Sequence, residues 1–201
     1  MDSKFRYSNL ASFASKDDNF LGRKYPYSSS KYRGEYQRDR DRIIHCNSFR
    51  RLKFKTQVFV YYEGDHFRTR LTHSLEVSQI ARSVARCLSL NEDLSEALSL
   101  AHDLGHTPFG HAGEDALANC LNNDFFDHNI QSLRILLLLE DTYDQHSGLN
   151  LSINCIDGLL KHNGHVVNSD AYKNQLPEIF NYNLNFFQNG SLEAQISSLS
   201  D

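Results

Sequence analysis

With 201 residues and a formal net charge of −4, the chain has the length of one domain and is too acidic overall to hold nucleic acid through a general basic surface. Its 40% apolar and 23% charged residues are ordinary globular proportions, sufficient to bury a core and unlike those of disordered or fibrous chains. Cys46, Cys87, Cys120 and Cys155 form no C-x-x-C pair, which argues against a zinc ribbon, a thioredoxin-type motif or a disulfide framework.

Residues 1–35 are rich in Ser, Tyr, Lys and Gly without a clear period, and are expected to form a loosely ordered arm. The first ten residues lack the apolar run of a signal peptide. Arg38-Asp39-Arg40-Asp41-Arg42 follows, and alternating signs of this kind predict a solvated, internally paired helix face. Val58-Phe59-Val60-Tyr61-Tyr62 carries the one strand signal, which fits a short strand or a link between helices. His73, Val77, Ile80, Ala81, Val84, Ala85 and Leu88 fall on one stripe of an α-helix. Asp93 with Glu96 reads as a capping box. From it Leu94, Ala97, Leu98 and Ala101 carry a second stripe into His102-Asp103. That helix is expected to stop at Gly105, with Pro108 and Gly110 enforcing a loop. Helical patterns recur at 127–140 and 151–162, and 163–190 reads as loop with one short element. The longest apolar run, 135–139, is too short to span a bilayer, so a cytoplasmic protein with no membrane partner is expected. The pattern as a whole predicts an all-α fold.

Chemistry concentrates in residues 101–114, where His102, His106 and His111 accompany Asp103 and Glu114 across a helix end and a Gly/Pro-shaped turn. Imidazole and carboxylate together suit Mn, Fe, Ni or Zn, and Mg less selectively. Adjacent helical residues diverge by about 100°, so an ion shared by His102 and Asp103 needs further ligands from other helices. His73 lies on the apolar face of the preceding helix, where a lone histidine is more often a core residue than a ligand. Two successive helices joined by a short connection pack antiparallel, which can bring His73 to His102. Two supporting residues have plainer readings. Glu114 can be a first-turn carboxylate facing the helix dipole, and His106 can cap the last carbonyls of its helix. His45, His66, His146, His162 and His165 lack comparable context and read as solvated or packing residues. The spacing His102-Asp103-Leu104-Gly105-His106 also mimics the H-E-x-x-H of zinc peptidases, but Gly105, Pro108, the Asp in place of Glu and an unexplained His73 argue against that.

His73, the His102-Asp103 doublet and a later aspartate resemble the H…HD…D signature of the HD superfamily of metal-dependent phosphohydrolases. Longer strings are similar to its dGTPase branch, the deoxynucleoside triphosphate triphosphohydrolases. They include Phe49-Arg50-Arg51-Leu52, Lys55-Thr56-Gln57-Val58, Arg68-Thr69-Arg70-Leu71-Thr72-His73 and His102-Asp103-Leu104-Gly105-His106-Thr107-Pro108-Phe109-Gly110-His111. Phe126-Asp127-His128-Asn129, Gly158-Leu159-Leu160-Lys161-His162 and Ser191-Leu192-Glu193-Ala194-Gln195-Ile196 continue the match, which covers the chain from about residue 36 onward.

The resemblance implies an HD-type helical domain over 36–201, and hydrolysis of a dNTP, dGTP-like, at its α-phosphorus to deoxynucleoside and tripolyphosphate. It implies His73, His102, Asp103 and Asp201 as ligands of a divalent ion, Mn or Mg in the first place and Fe, Ni or Zn in the second. His111 with Glu114 match the pair near the attacking water or leaving oxygen, His106 and His128 match phosphate contacts, Gln57 matches the position that reads the sugar 3′-hydroxyl, and Arg70 has the planar fork of a bidentate phosphate clamp. In the family the string beginning at Ser191 runs on past the position of Asp201, so the domain is expected to be incomplete at its C-terminal side. A homo-oligomer and a nucleotide activator are further expectations, whereas single-stranded nucleic acid has no support in the residues. Two alternatives stay open: a shortened relative that binds nucleotide or partner subunits without turnover, and an HD phosphohydrolase acting on another phosphoester.

Overall fold

The computed structural model describes residues 9–57, 67–121, 126–166 and 169–201. Among these residues it is helical, with isolated β-bridges such as Thr56 to Thr69 and no strand. The strand signal at 58–62 lies outside the described residues. The elements in chain order are α1 (Glu35–His45), α2 (Asn47–Arg51), α3 (Arg70–Cys87), α4 (Glu92–Ala101), α5 (Gly110–Cys120), α6 (His128–Arg134), α7 (Ile153–Leu160), α8 (Ser169–Gln175) and α9 (Leu192–Ser200). No helix among the described residues is long and apolar enough to cross a membrane.

Helix α4 is the axis of the molecule. Leu94, Ala97, Leu98, Leu100 and Ala101 are buried on it together with Ser95 and Ser99, so its second half has no solvated stripe. A helix buried on all sides through its second half belongs inside a bundle, and α1, α3, α7 and α9 surround this one. Its small residues permit close approach. Ser99 Oγ meets Ser197 Oγ of α9 at 2.9 Å, and a Cβ on Gly158 of α7 would stand 2.7 Å from Leu98. The cap of α4 is Asn91, whose side chain accepts from Leu94 N–H at 3.1 Å, rather than a box at Asp93 and Glu96. Those two carboxylates pair instead with Arg40 of α1, at 3.0 and 3.3 Å.

The charge-dense stretch of α1 is not a solvated face. Asp39 is fully buried, pairs with Arg23 and accepts from Ser152 N–H, while Arg42 is buried and donates to Leu149 and Asn150 carbonyls. Their partners come from distant segments, so the alternation of signs along the chain gave no sign of inward pairing. The α3 stripe divides likewise. His73, Val77, Ala81 and Ala85 are buried, whereas Ile80, Val84 and Leu88 reach solvent.

From the 1–35 arm, Ala14 and Ser15 are buried, and Glu193 of α9 accepts from Ser15 N–H, Ser15 Oγ and Asn91 N–H at 2.8, 3.0 and 3.2 Å. The 127–140 pattern resolves into α6 and a π-helical turn, Ile135–Leu139, that directs Leu136 C=O to Leu149 N–H. The 163–190 segment holds two elements rather than one, α8 and a 3₁₀ turn at Pro177–Tyr182. Proline at the start of that turn supplies a φ already suited to it.

Candidate active site

Helix α3 begins at a capping box in which Thr69 Oγ1 accepts from Thr72 N–H and Thr72 Oγ1 accepts from Thr69 N–H. This fixes the register that places Arg70 and His73 on the buried side. Helix α4 ends at Ala101, earlier than Gly105, and 102–105 continues as a turn. The end of α4 thus points His102 and Asp103 toward α3. The rings of His73 and His102 lie 5.4 Å apart, and one ligand atom each from His73, His102 and Asp103 falls within a 4.8 Å group.

Asp201, just after α9, completes the arrangement. Its Oδ1 is 2.7 Å from His73 Nε2 and 3.4 Å from His102 Nε2. The surrounding imidazoles of His102, His162 and His73 hold this carboxyl far below the usual carboxylate range. Burial pushes Asp103 upward, but His102, Arg70, His106 and His73 outweigh it and leave its carboxyl below the ordinary value. His102 shows the opposite balance. Burial lowers its imidazole, while Asp201 and Asp103 raise it further, to a net increase.

The donor set fits a divalent ion on three observations. His102 Nδ1 lies 2.6 Å from Ser99 C=O, an arrangement that places the proton on Nδ1 and leaves the Nε2 lone pair free. His102 Nε2 and Asp103 Oδ2 are both buried without a hydrogen-bond partner, a costly state unless something meets them. Two imidazoles with two carboxylates is a mixed N/O set suited to Mn, Fe or Zn.

A second group stands beside the first. His106 stacks on His128, with centroids 4.1 Å apart, and His111 is edge-on to both at 5.1 and 5.8 Å. Glu114 accepts from the His128 backbone N–H at 3.0 Å and lies 3.0 Å from His128 Nδ1 and 3.4 Å from His111 Nδ1. Glu114 therefore lies beyond the first turn of α5 and serves the N-terminal end of α6 instead. Burial pushes this carboxyl up, but its bonds to His128 bring it below the ordinary value. His106 does not cap α4. Lys55 Nζ donates to Leu104 and His106 carbonyls at 3.0 and 2.9 Å, and His106, buried beside His128 and Arg70, is pushed down to about 3.

Two glycines allow the groups to meet. A Cβ on Gly105 would lie 2.3 Å from both His128 C=O and Ser132 N, so only glycine lets α6 cross this turn. A Cβ on Gly113 would stand 1.9 Å from Pro108 C=O, where α5 folds back over the loop. Gly110 is the first residue of α5 and, like Phe109 before it, sits in the left-handed region, at φ 59° after 67°, so the expected loop turns through this pair.

Arg70 NH1 donates to Asp103 Oδ1 at 2.8 Å, while its Nε is buried without a partner. Gln57 Oε1 is likewise buried and unpartnered, and its backbone carbonyl approaches Gly110, within 3.5 Å of where a Cβ would be. His162 is the residue that sequence reasoning missed. It is buried, stacks on His102 at 5.2 Å, and its Nε2 is 3.8 Å from Asp201 Oδ2. The available signal was position, since His162 follows Leu159 by one helical repeat and continues the buried face of α7. Of the other histidines set aside, His146 stacks on Tyr25, and His66 lies outside the described residues.

The HD domain family model matches residues 70–176. A protein of Pelagibacter ubique (strain HTCC1062) named deoxyguanosinetriphosphate triphosphohydrolase-like is 60% identical over 198 residues, covering 97% of this chain and 52% of its own. A like-named protein of Rickettsia felis is 53% identical over 194 residues, 96% of this chain and 50% of its own. One from Parvibaculum lavamentivorans is 54% identical over 198 residues, 95% of this chain and 50% of its own. The chain thus spans about half the length of the curated relatives it matches.

Proposed function

The chain belongs to the HD-domain family, and from that premise we propose that the protein is a metal-dependent deoxynucleoside triphosphate triphosphohydrolase, acting on a dGTP-like substrate. The observation that supports this reading most is the meeting of His73, His102, Asp103 and Asp201 around buried, unpartnered donor atoms. These four residues would hold the ion, Mn or Mg in this reading. When bound, a divalent ion supplies Lewis acidity to a phosphoryl oxygen and acidifies water.

The remaining steps fall to side chains of this chain. Arg70 is the guanidinium nearest the centre, and its planar fork suits a phosphoryl group while Asp103 keeps it in place. His106, held neutral, and His128 offer ring N–H groups to the other phosphates. Gln57 reads the sugar through an amide that both donates and accepts, which agrees with its unpartnered carbonyl oxygen. Water adds to the α-phosphorus as the bond to the 5′-oxygen breaks, and that oxygen takes up a proton. His111, steered by Glu114 and exposed on its outer side, would exchange a proton with that water or that leaving oxygen. The products are deoxynucleoside and tripolyphosphate. The names of the relatives agree with this reaction class. A cytoplasmic homo-oligomer with a nucleotide activator completes the reading.

The test is to incubate the purified protein with Mn²⁺ and each dNTP in turn and to resolve the products by ion exchange. Deoxynucleoside and tripolyphosphate in equal amounts are expected. Monophosphate with pyrophosphate would place the cleavage at another bond, and a shift in melting temperature without product would make the protein a nucleotide binder.

A further inference from the structure

We propose that His106, His111, Glu114 and His128 form a second divalent-metal site, distinct from the centre at His73 and His102 and selective for a borderline transition ion such as Zn²⁺. Each of the four offers one ligand atom, and these atoms lie within 4.8 Å of one another. Ligand atoms around a tetrahedral zinc ion at about 2.0–2.2 Å stand roughly 3.4 Å apart, so a modest inward movement closes the shell. His111 can supply much of it, because its side chain is 79% exposed and unconfined on the outer side. The other three are held where they are. Glu114 is tied to the His128 backbone N–H, and His128 is stacked against His106.

An independent observation points to a ligand here. His106 is 6% exposed, yet its Nδ1 is buried with no hydrogen-bond partner. A ring packed among two other imidazoles and left unpaired is an unfinished arrangement. The bond between His128 Nδ1 and Glu114 is the contact a proton makes where two ligands face each other, and an entering ion would displace that proton to solvent.

The composition of the two groups sets their selectivity. Three imidazoles and one carboxylate form a nitrogen-rich set, which suits Zn²⁺, Co²⁺ or Ni²⁺ and disfavours Mg²⁺. The His73 centre has two carboxylates and is correspondingly harder. Asp103 stands between them, with Oδ1 3.6 Å from His102 Nε2 and 3.8 Å from His106 Nε2. An ion in the second site would occupy His111 and Glu114. On the reading of function above, it would therefore oppose turnover, so Zn²⁺ would inhibit while Mn²⁺ supports.

The test counts metal and does not depend on the substrate. Chelator-treated protein is loaded with one equivalent of Mn²⁺, titrated with Zn²⁺, and followed by calorimetry with metal analysis after gel filtration. Two saturable equivalents of metal per chain are expected. His111→Ala, chosen because an exposed side chain can be removed without unfolding, should weaken the second at least tenfold and leave the first. His73→Ala should do the reverse. A single equivalent in the wild type, or a second equivalent indifferent to His111→Ala, would overturn the proposal. A circular dichroism spectrum shows whether each variant is folded, and Glu114→Gln, which keeps the shape and removes the anion, serves if His111→Ala is not.

Discussion

Gly105→Ala tests whether the meeting of α6 with the end of α4 is what assembles the site. Gly105 is not among the glycines with positive φ, so alanine faces no backbone objection. On conformational grounds alone the change should stabilise by about 0.4–1 kcal/mol, through the unfolded chain. The packing predicts the opposite sign. The added methyl would fall 2.3 Å from His128 C=O and Ser132 N, both of them backbone atoms that cannot turn aside. Ordinary contact is near 3.5 Å, so α6 must retreat by about 1 Å, an overpacking that costs about 1–3 kcal/mol. The retreat also strains Gly105 N–H to Ser132 Oγ, at 2.8 Å, and Ser132 Oγ to His102 C=O, at 3.1 Å. Each is worth about 1 kcal/mol. The net expectation is a loss of about 2–4 kcal/mol in urea unfolding, with His128 displaced from Glu114. A variant as stable as the wild type, or more stable, would refute the reasoning.

Other consequences can be checked separately. Mn²⁺ at about 100 times its dissociation constant should stabilise the protein by about 2.7 kcal/mol, and His73→Ala should abolish the increment in a thermal melt. His162→Ala should weaken Mn²⁺ binding about 10–100-fold by releasing Asp201, whereas His162→Gln should restore part of it. Arg70→Lys should lower kcat/KM at least tenfold with little change in metal content, since a point charge replaces a planar fork. In chelator, the depressed His106 gives a signed pH effect. Between its ordinary value near 6.5 and about 3 the unfolded chain holds the proton that the folded one refuses. Stability should therefore fall as the pH drops through that window, by up to about 1.4 kcal/mol per pH unit, and His106→Gln should flatten the slope.

The sequence made the centre legible where local periodicity and spatial role coincide. His73 shares a stripe with Val77, Ala81 and Ala85, and the stripe through Leu94, Leu98 and Ala101 runs into His102, so two apolar faces that must pack against each other carry the histidines inward. The reading failed where the partner of a residue lies far along the chain. Asp39 and Arg42 look like surface charges until Arg23, Asn150 and Ser152 are brought to them. His162 ends the string Gly158-Leu159-Leu160-Lys161-His162, which names no role for it, and its meaning comes from Asp201, which α9 delivers from another part of the chain. The early end of α4 was hidden for a related reason. Lys55 Nζ takes up the carbonyls of Leu104 and His106, which holds the turn after the helix from outside the segment.

A whole-chain charge of −4 and a triphosphate site are compatible because the relevant field is local. Charges are screened beyond about 8 Å at physiological ionic strength, so the acidic residues of distant helices count for little at the centre. Within that range stand Asp103 and Asp201 against Arg70, with Lys55 close enough to feel both Arg70 and Asp103. With both cations counted the group is neutral, so a divalent ion would leave it a net cation, and the buried walls would concentrate that charge on an incoming polyanion. The two aspartates therefore do not repel the substrate in this reading. They retain the ion, and through it they convert a charge-balanced group into a site for an acidic ligand. The same electrostatics explains why a metal-free protein should bind nucleotide poorly even with Arg70, His106 and His128 intact.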